Sequence, residues 1–263
     1  APNTFFDGFL YPPMKVGQDF IYQQWFDWLW RRRTRTPDFN ILDEKARGAG
    51  CLIIRQKILE IIEEFHRDYV EDSLSEVIEL GRRRAQEIYQ AVLVPGRYRA
   101  VYFSPILYKG YMPMFPEADK NWLLHFPQTL HVLPEGRMRL EHEGISSWDW
   151  FHVNAGESIA TAVYYLGLVA YAAYDIGYNS GIILQLDWNI PEGSIFKVDH
   201  PFASVAFTWL PAICMLPLFN QNLVRNFFVR GYLEECVDGD FSISLAQGAG
   251  ILEDGKTWGW SDF

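Results

Sequence analysis

Residues 43–68 read DEKARGAGCLIIRQKILEIIEEFHRD, and Cys51, Ile54, Ile58, Ile61, Ile62 and Phe65 fall on one stripe at helical spacing. The stripe predicts an amphipathic helix that runs through Asp68. Ser73-Leu74-Ser75-Glu76 then forms a capping-box pattern, in which the serine hydroxyl takes a first-turn N–H and the glutamate reaches back. It opens a second predicted helix with Leu74, Val77, Ile78, Ala85, Ile88 and Val92 on its apolar side, stopped by Val94-Pro95-Gly96. Two adjacent amphipathic helices are expected to fold as an antiparallel hairpin.

Upstream of this pair, Pro2, Gly8, Pro12, Pro13 and Gly17 leave the first residues irregular. Asp19–Arg33 reads as a helix with Phe20, Trp25, Phe26 and Trp28 on several sides, and Thr36-Pro37 punctuates the chain after it. Downstream the pattern changes. Arg97–Ser104 is aromatic and β-branched, and Leu130–Leu133 and Arg137–Glu143 flank the turn Pro134-Glu135-Gly136. A helix is expected over Glu157–Tyr174, and a strand over Gly181–Ile190 that ends at Pro191-Glu192-Gly193. An aromatic, helix-like stretch from Phe202 to about Tyr232 is expected to be interrupted by its prolines, and the tail reads as short strands and glycine-rich turns. Helices followed by mixed strands and helices, without regular βαβ alternation, give an α+β fold. The chain divides into a mainly helical segment, 1–93, and a mixed segment, 94–263.

Composition excludes several functions. Among 263 residues, 33 acidic side chains outweigh 23 basic ones for a net charge of −10, which disfavours nucleic acid and anionic membrane surfaces. The arginine groups Arg31–Arg33 with Arg35, and Arg82–Arg84, read as solvated or salt-bridged helix faces, or as docking points for an acidic partner. The uncharged stretches Ile159–Tyr174 and Ala203–Val224 read as buried helices: the first is shorter than the ~20 residues a bilayer needs, and the second holds Pro211, Pro217 and Asn220–Asn222. Cys51, Cys214 and Cys236 lack disulfide or metal spacing, so a reducing cytoplasm is the expected location. No secretory leader pattern is read at the first residues. The 19 Phe, 14 Tyr and 10 Trp exceed what one core readily hides, so some rings are expected on a cavity or a subunit contact.

Nucleotide-loop, nucleophile-elbow and zincin motifs do not occur. Arg47-Gly48-Ala49-Gly50 and Gln247-Gly248-Ala249-Gly250 lack the lysine or acid of a phosphate cradle and read as tight turns or close helix packing. In Glu141-His142-Glu143, strand alternation puts the carboxylates on one face and the histidine on the other, so a metal site is not expected. The densest polar–aromatic run is Ser146-Ser147-Trp148-Asp149-Trp150-Phe151-His152-Val153-Asn154, between a hairpin strand and a helix. Ser147, Trp148, His152 and Asn154 are the candidates for a substrate cavity, with His152 as acid/base or anion donor and Asn154 as an orienting amide. Asn154 as a simple helix cap is the competing reading. Asp199-His200 is read either as a surface neighbour pair or as a functional one.

In order along the chain, Leu42–Cys51, Val94–Arg99, Glu135–Gly144, the junction through Asn154-Ala155, Pro191–Ser194, Arg230–Glu235 and Gln247–Gly250 resemble the middle region of acetone carboxylase α subunits, members of the hydantoinase B family. The match covers about residues 7–250. The resemblance implies a segment of a larger hydantoinase B-type fold and a part in ATP-dependent carboxylation of a small ketone by bicarbonate to a 3-oxo acid. It implies a partner of hydantoinase A type that binds ATP and Mg, and chains carrying the missing N- and C-terminal parts of the α subunit, one of them with a divalent metal of Mn, Fe or Zn type. This chain would then be either a split subunit or a fragment, one structural unit completed by its partners. The family's His/Asp metal segment has no counterpart here, so no cofactor is expected on this chain alone. A hydantoinase or oxoprolinase-type amide hydrolase component, and a non-catalytic scaffold, are the alternatives.

Overall fold

The computed structural model describes residues 23–33, 37–107, 109, 119–149, 161, 163–165, 167–169, 177–199, 209–231 and 246–262. They fall into two compact units, one built on residues 74–242 and the other on residues 5–73 with 243–263.

In the smaller unit, α1 (Gln23–Arg33) packs on α2 (Pro37–Phe65), and α2 lies against the hairpin strand β6 (Thr257–Asp262), which pairs antiparallel with β5 (Ala246–Ile251). The turn Leu252–Gly255 closes that hairpin with Gly255 at positive φ. The helix α3 (Arg67–Val92) begins one residue after α2 ends, and the single intervening residue, His66, has φ 65°. The predicted pair of helices is therefore present, but the second begins at Arg67, so the capping-box residues Ser73–Glu76 lie within it and do not open it. Ile54, Ile58, Ile61 and Phe65 on α2, and Leu74, Val77 and Ile78 on α3, are exposed. Gly48 and Gly50 sit inside α2, with open space where a Cβ would stand, so neither a turn nor close packing accounts for them.

The larger unit centres on a sheet in the order β1 (Gly96–Leu107), β2 (Asn121–Val132), β3 (Met138–Glu141) and β4 (Leu186–Asn189). The first two pairings are antiparallel and β3–β4 is parallel. Strand β2 starts well before the predicted Leu130, because Pro127 in its middle masks the strand pattern. The predicted turn at Pro134–Gly136 is found, closed by Leu133 N–H and Arg137 O at 2.8 Å, with Gly136 at φ 79° where a Cβ would meet Gln86 O and Gln90 N of α3 at 2.8 and 2.9 Å. Only the end of the predicted strand 181–190 is extended; Ser180–Gln185 is a 3-10 helix capped by Asn179, whose side chain accepts from Gly181 N–H. Within 157–174, the described residues Thr161, Val163–Tyr165 and Gly167–Val169 are helical.

Helix α4 (Trp209–Arg230) runs unbroken through Pro217 and packs on β1 and β2. Its expected interruption does not occur, since tertiary packing holds a helix past a lost N–H. Asn226 fixes α4 to the end of α3 like a short strand: its Oδ1 accepts from Val94 N–H and its Nδ2 donates to Val94 O, both at 2.9 Å. Arg230 donates to Ala91 O at 2.8 Å, satisfying a carbonyl that the helix end leaves open. The core gathers Leu124, Phe126, Leu130, Leu140, Phe196 and Phe219 between sheet and helices.

Candidate functional site

Strand alternation turns His142 inward, as its neighbours' charges require, and the imidazole is 1% exposed. Glu141 on the other face accepts from His131 Nε2 at 2.9 Å and from Arg139, and these partners hold its carboxyl below the ordinary range. Glu143 is exposed. The two carboxylates therefore do not share a site with the histidine.

His142 lies in a directional line of hydrogen bonds. Nδ1 faces Pro127 O at 3.2 Å, and a carbonyl only accepts, so Nδ1 carries the proton. Nε2 is then an acceptor, filled by the hydroxyl of Tyr164. Gln128 Nε2 donates to that hydroxyl at 3.5 Å and to Met215 O at 3.4 Å, and its Oε1 accepts from Asn222 Nδ2 at 3.1 Å. Burial pushes the His142 imidazolium down to about 4, against the smaller opposing effect of the Pro127 carbonyl, and raises the Tyr164 phenol well above its ordinary value. Both groups are neutral at physiological pH. Phe196 meets the imidazole edge-on at 6.0 Å between centroids and stacks on Phe126 at 5.2 Å, closing the pair off from water. Such a line orients its neighbours rather than exchanging protons with solvent.

The serine–tryptophan junction begins four residues after His142. His142 O accepts from Ile145 N–H. Ser146 bonds reciprocally with the backbone of β2: its N–H donates to His125 O at 3.0 Å and its Oγ accepts from His125 N–H at 2.8 Å. His125 Nδ1 donates to Gly144 O at 2.9 Å and its ring stacks on Phe103 at 4.9 Å. On the other side Ser147 bridges Ser194, Trp148 N–H donates to Gly193 O at 3.1 Å, and the Trp148 indole donates to Asp199 Oδ1 at 2.5 Å.

Of the predicted cavity residues, Ser147 and Trp148 thus stand together on the junction, Ser147 exposed and Trp148 half-buried. His152 and Asn154 lie outside the described residues, as does His200. Asp199 partners Trp148. Tyr164 and Gln128 were not singled out by sequence, and Asn222 only as a polar residue against a membrane span; the available signal was a polar side chain inside each otherwise apolar run. Among the described residues no three His, Cys, Asp or Glu side chains are placed to hold a metal ion. The arginines at 82–84 resolve into ion pairs with Glu79 and Glu87, the solvated-face reading. Among the described residues no helix is long and apolar enough to cross a membrane.

The acetone carboxylase α subunit of Xanthobacter autotrophicus (strain ATCC BAA-1158 / Py2) is 28% identical over 253 residues, which are 95% of this chain and 32% of that protein. The nucleotide-free structure of acetone carboxylase superposes with a TM-score of 0.85 at 26% identity, over 98% of this chain and 34% of that one. An ATP-dependent caprolactamase from Pseudomonas jessenii shares the fold alone, with a TM-score of 0.64 at 16% identity over 84% of this chain and 38% of its own. The chain spans about a third of the length of these relatives. Residues 1–224 match the family described as hydantoinase B/oxoprolinase, with its mixed sheet flanked by helices, and the chain belongs to that family.

Proposed function

We propose that this chain is a subunit of an ATP-dependent ketone carboxylase, supplying part of the active-site wall and much subunit interface. The observation that carries the reading is the superposition on acetone carboxylase over 98% of the chain, closer than that on the caprolactamase. ATP with Mg is assigned to a hydantoinase A-type partner, and a divalent metal to chains that carry the rest of the α-subunit sequence. The exposed apolar side chains of α2 support the interface part of the proposal.

Within that assembly, this chain's residues hold and shield. The His142–Tyr164–Gln128–Asn222 line fixes the junction, and the junction presents Ser147 and Trp148, with His152 and Asn154 following in sequence as the hydrogen-bonding candidates toward a ketone oxygen. Aromatic walls suit this chemistry, because activated carboxyl intermediates hydrolyse when water reaches them.

The test uses the complex that co-purifies with this chain. ATP-dependent incorporation of labelled bicarbonate into a ketone is the expected result. ATP-dependent ring opening of a lactam or hydantoin without bicarbonate incorporation would establish the amide hydrolase instead. If His152→Ala and Asn154→Ala leave turnover unchanged in an intact complex, the chain is a scaffold.

A further inference from the structure

The sheet of the larger unit ends differently on its two sides. Strand β4 is four residues long, and its exposed Asp187 accepts from Arg137 at 2.6 Å. Short, charged strands of this kind close a sheet edge against further pairing. Strand β1 at the other edge runs for 12 residues and pairs with β2 on one side. Among the described residues no strand receives the alternate N–H and C=O groups that point away from β2.

The side chains of β1 alternate as the strand period requires. Ala100 and Ser104 are buried, on the side that packs against α4. Arg97, Arg99, Val101 and Phe103 take the other side and are all exposed, Phe103 with 54% of its surface open and Val101 with 40%. The strip is graded, basic where the strand starts and apolar further on. Arg97 and Arg99 stand about 7 Å apart on one face, two like charges. Neither has an ion-pair or hydrogen-bond partner among the described residues, whereas Arg82, Arg84, Arg137 and Arg139 each hold a carboxylate. The register sets His131 beside Arg97 and Thr129 beside Arg99, so β2 supplies no acid there. Glu141, opposite Thr129 on β3, is already engaged by His131 and Arg139.

An open strand edge is completed by another strand, and its outward side chains choose which one. A second copy of β1 would bring two more arginines and no carboxylate, since Gly96–Leu107 contains neither Asp nor Glu. We propose that the free edge of β1 seats an extended segment of a partner polypeptide as a fifth strand, with Asp or Glu at alternate positions beside Arg97 and Arg99 and apolar side chains beside Val101 and Phe103. The proposal rests on the reading that this chain works with partner chains, and is independent of the reaction they carry out. Phe103 stacks on His125, whose backbone N–H is held by Ser146 Oγ, so the seated segment borders the residues that fix the serine–tryptophan junction.

The experiment uses the complex that co-purifies with this chain, prepared with Val101→p-benzoylphenylalanine or Phe103→p-benzoylphenylalanine as a photoreactive probe. After irradiation, mass spectrometry reads which residue each probe reaches. A strand at the edge should give sites two residues apart on one partner chain, because the probes stand two apart and strand side chains repeat at that period. The partner segment should carry Asp or Glu at alternate positions on the side nearer Arg99. Sites three or four residues apart would mean a helix, and crosslinks within this chain or to a second copy would mean a different occupant. Either result, or no crosslink from both probes, overturns the proposal. Arg97→Glu combined with Arg99→Glu should lower recovery of that partner by about tenfold or more, since like charges set face to face oppose binding. Arg97→Lys combined with Arg99→Lys should retain most of it. Both pairs replace exposed side chains, so the urea midpoint of the purified chain should not move, which separates lost docking from lost folding. Equal recovery of the partner with the glutamate pair would also overturn the proposal. A complex that opens lactams would change the reaction assigned above and leave these crosslinks as they are.

Discussion

Around the β1–β4 sheet, Leu124, Phe126, Leu140 and Phe196 are sealed from solvent, and even the polar side chains of Gln128, His142 and Asn222 are buried among them. Along α2, Ile53, Ile54, Ile58 and Phe65 stand in solvent, Ile54 with 61% of its surface open. Both stretches are rich in apolar residues, yet only the first closes on itself. The difference separates a sheet unit that buries its apolar side chains from a helix that leaves many of its own in solvent.

That comparison can be broken from its strong end. Phe196→Ala removes a fully buried ring and should cost about 3–5 kcal/mol in urea unfolding of the purified protein. A cost below about 1 kcal/mol would mean the sheet unit is no tighter than α2. Acid probes the buried line next. The folded His142 titrates at about 4 against 6.5 when free, so the unfolded chain binds the extra proton first. Stability is full above pH 6.5 and falls as the pH drops toward 4, by about 3 kcal/mol. His142→Gln should flatten that slope in unfolding curves taken from pH 7 to 4.

Smaller effects sharpen the picture. The lowered Glu141 carboxyl contributes stability above its ordinary range that is lost as the pH falls through the folded value, and Glu141→Gln should change unfolding by no more than about 0.5 kcal/mol because the group is screened. Ile58→Asp should leave unfolding of the purified chain within about 0.5 kcal/mol. The same change should reduce the amount of partner chains recovered with this one. Equal recovery would show that the α2 face docks nothing.

The sequence carried the helices well, because 3.6-residue periodicity survives whatever a helix packs against. It could not show whether Ile54 and Leu74 would be covered, since a stripe states a preference and not its partner. Alternation placed His142 opposite Glu141 and Glu143, and so foresaw an inward histidine. It could not foresee Tyr164, which reaches that histidine from a separate element, or Gln128, which donates to the Tyr164 hydroxyl. Pro127 hid most of β2, and Pro217 suggested a break that packing on the sheet overrides. Of the four cavity candidates, Ser147 and Trp148 are seen side by side on the junction, and His152 and Asn154 stay expectations from sequence.

The turn before the 3-10 helix presses directly on α3. A Cβ at Gly181 would collide with Ile78 O and Arg82 N, and one at Gly81 with the Asn179 side chain, which itself donates to Val77 O at 2.8 Å. The collisions fall on backbone at Gly181 and on a side chain at Gly81, so the two positions differ in how they can be repaired. Gly81→Ala should be rescued by shortening Asn179, whereas Gly181→Ala leaves nothing to trim. That pair of alleles, one suppressible and one not, offers a genetic handle for switching the protein off by a modest rise in growth temperature.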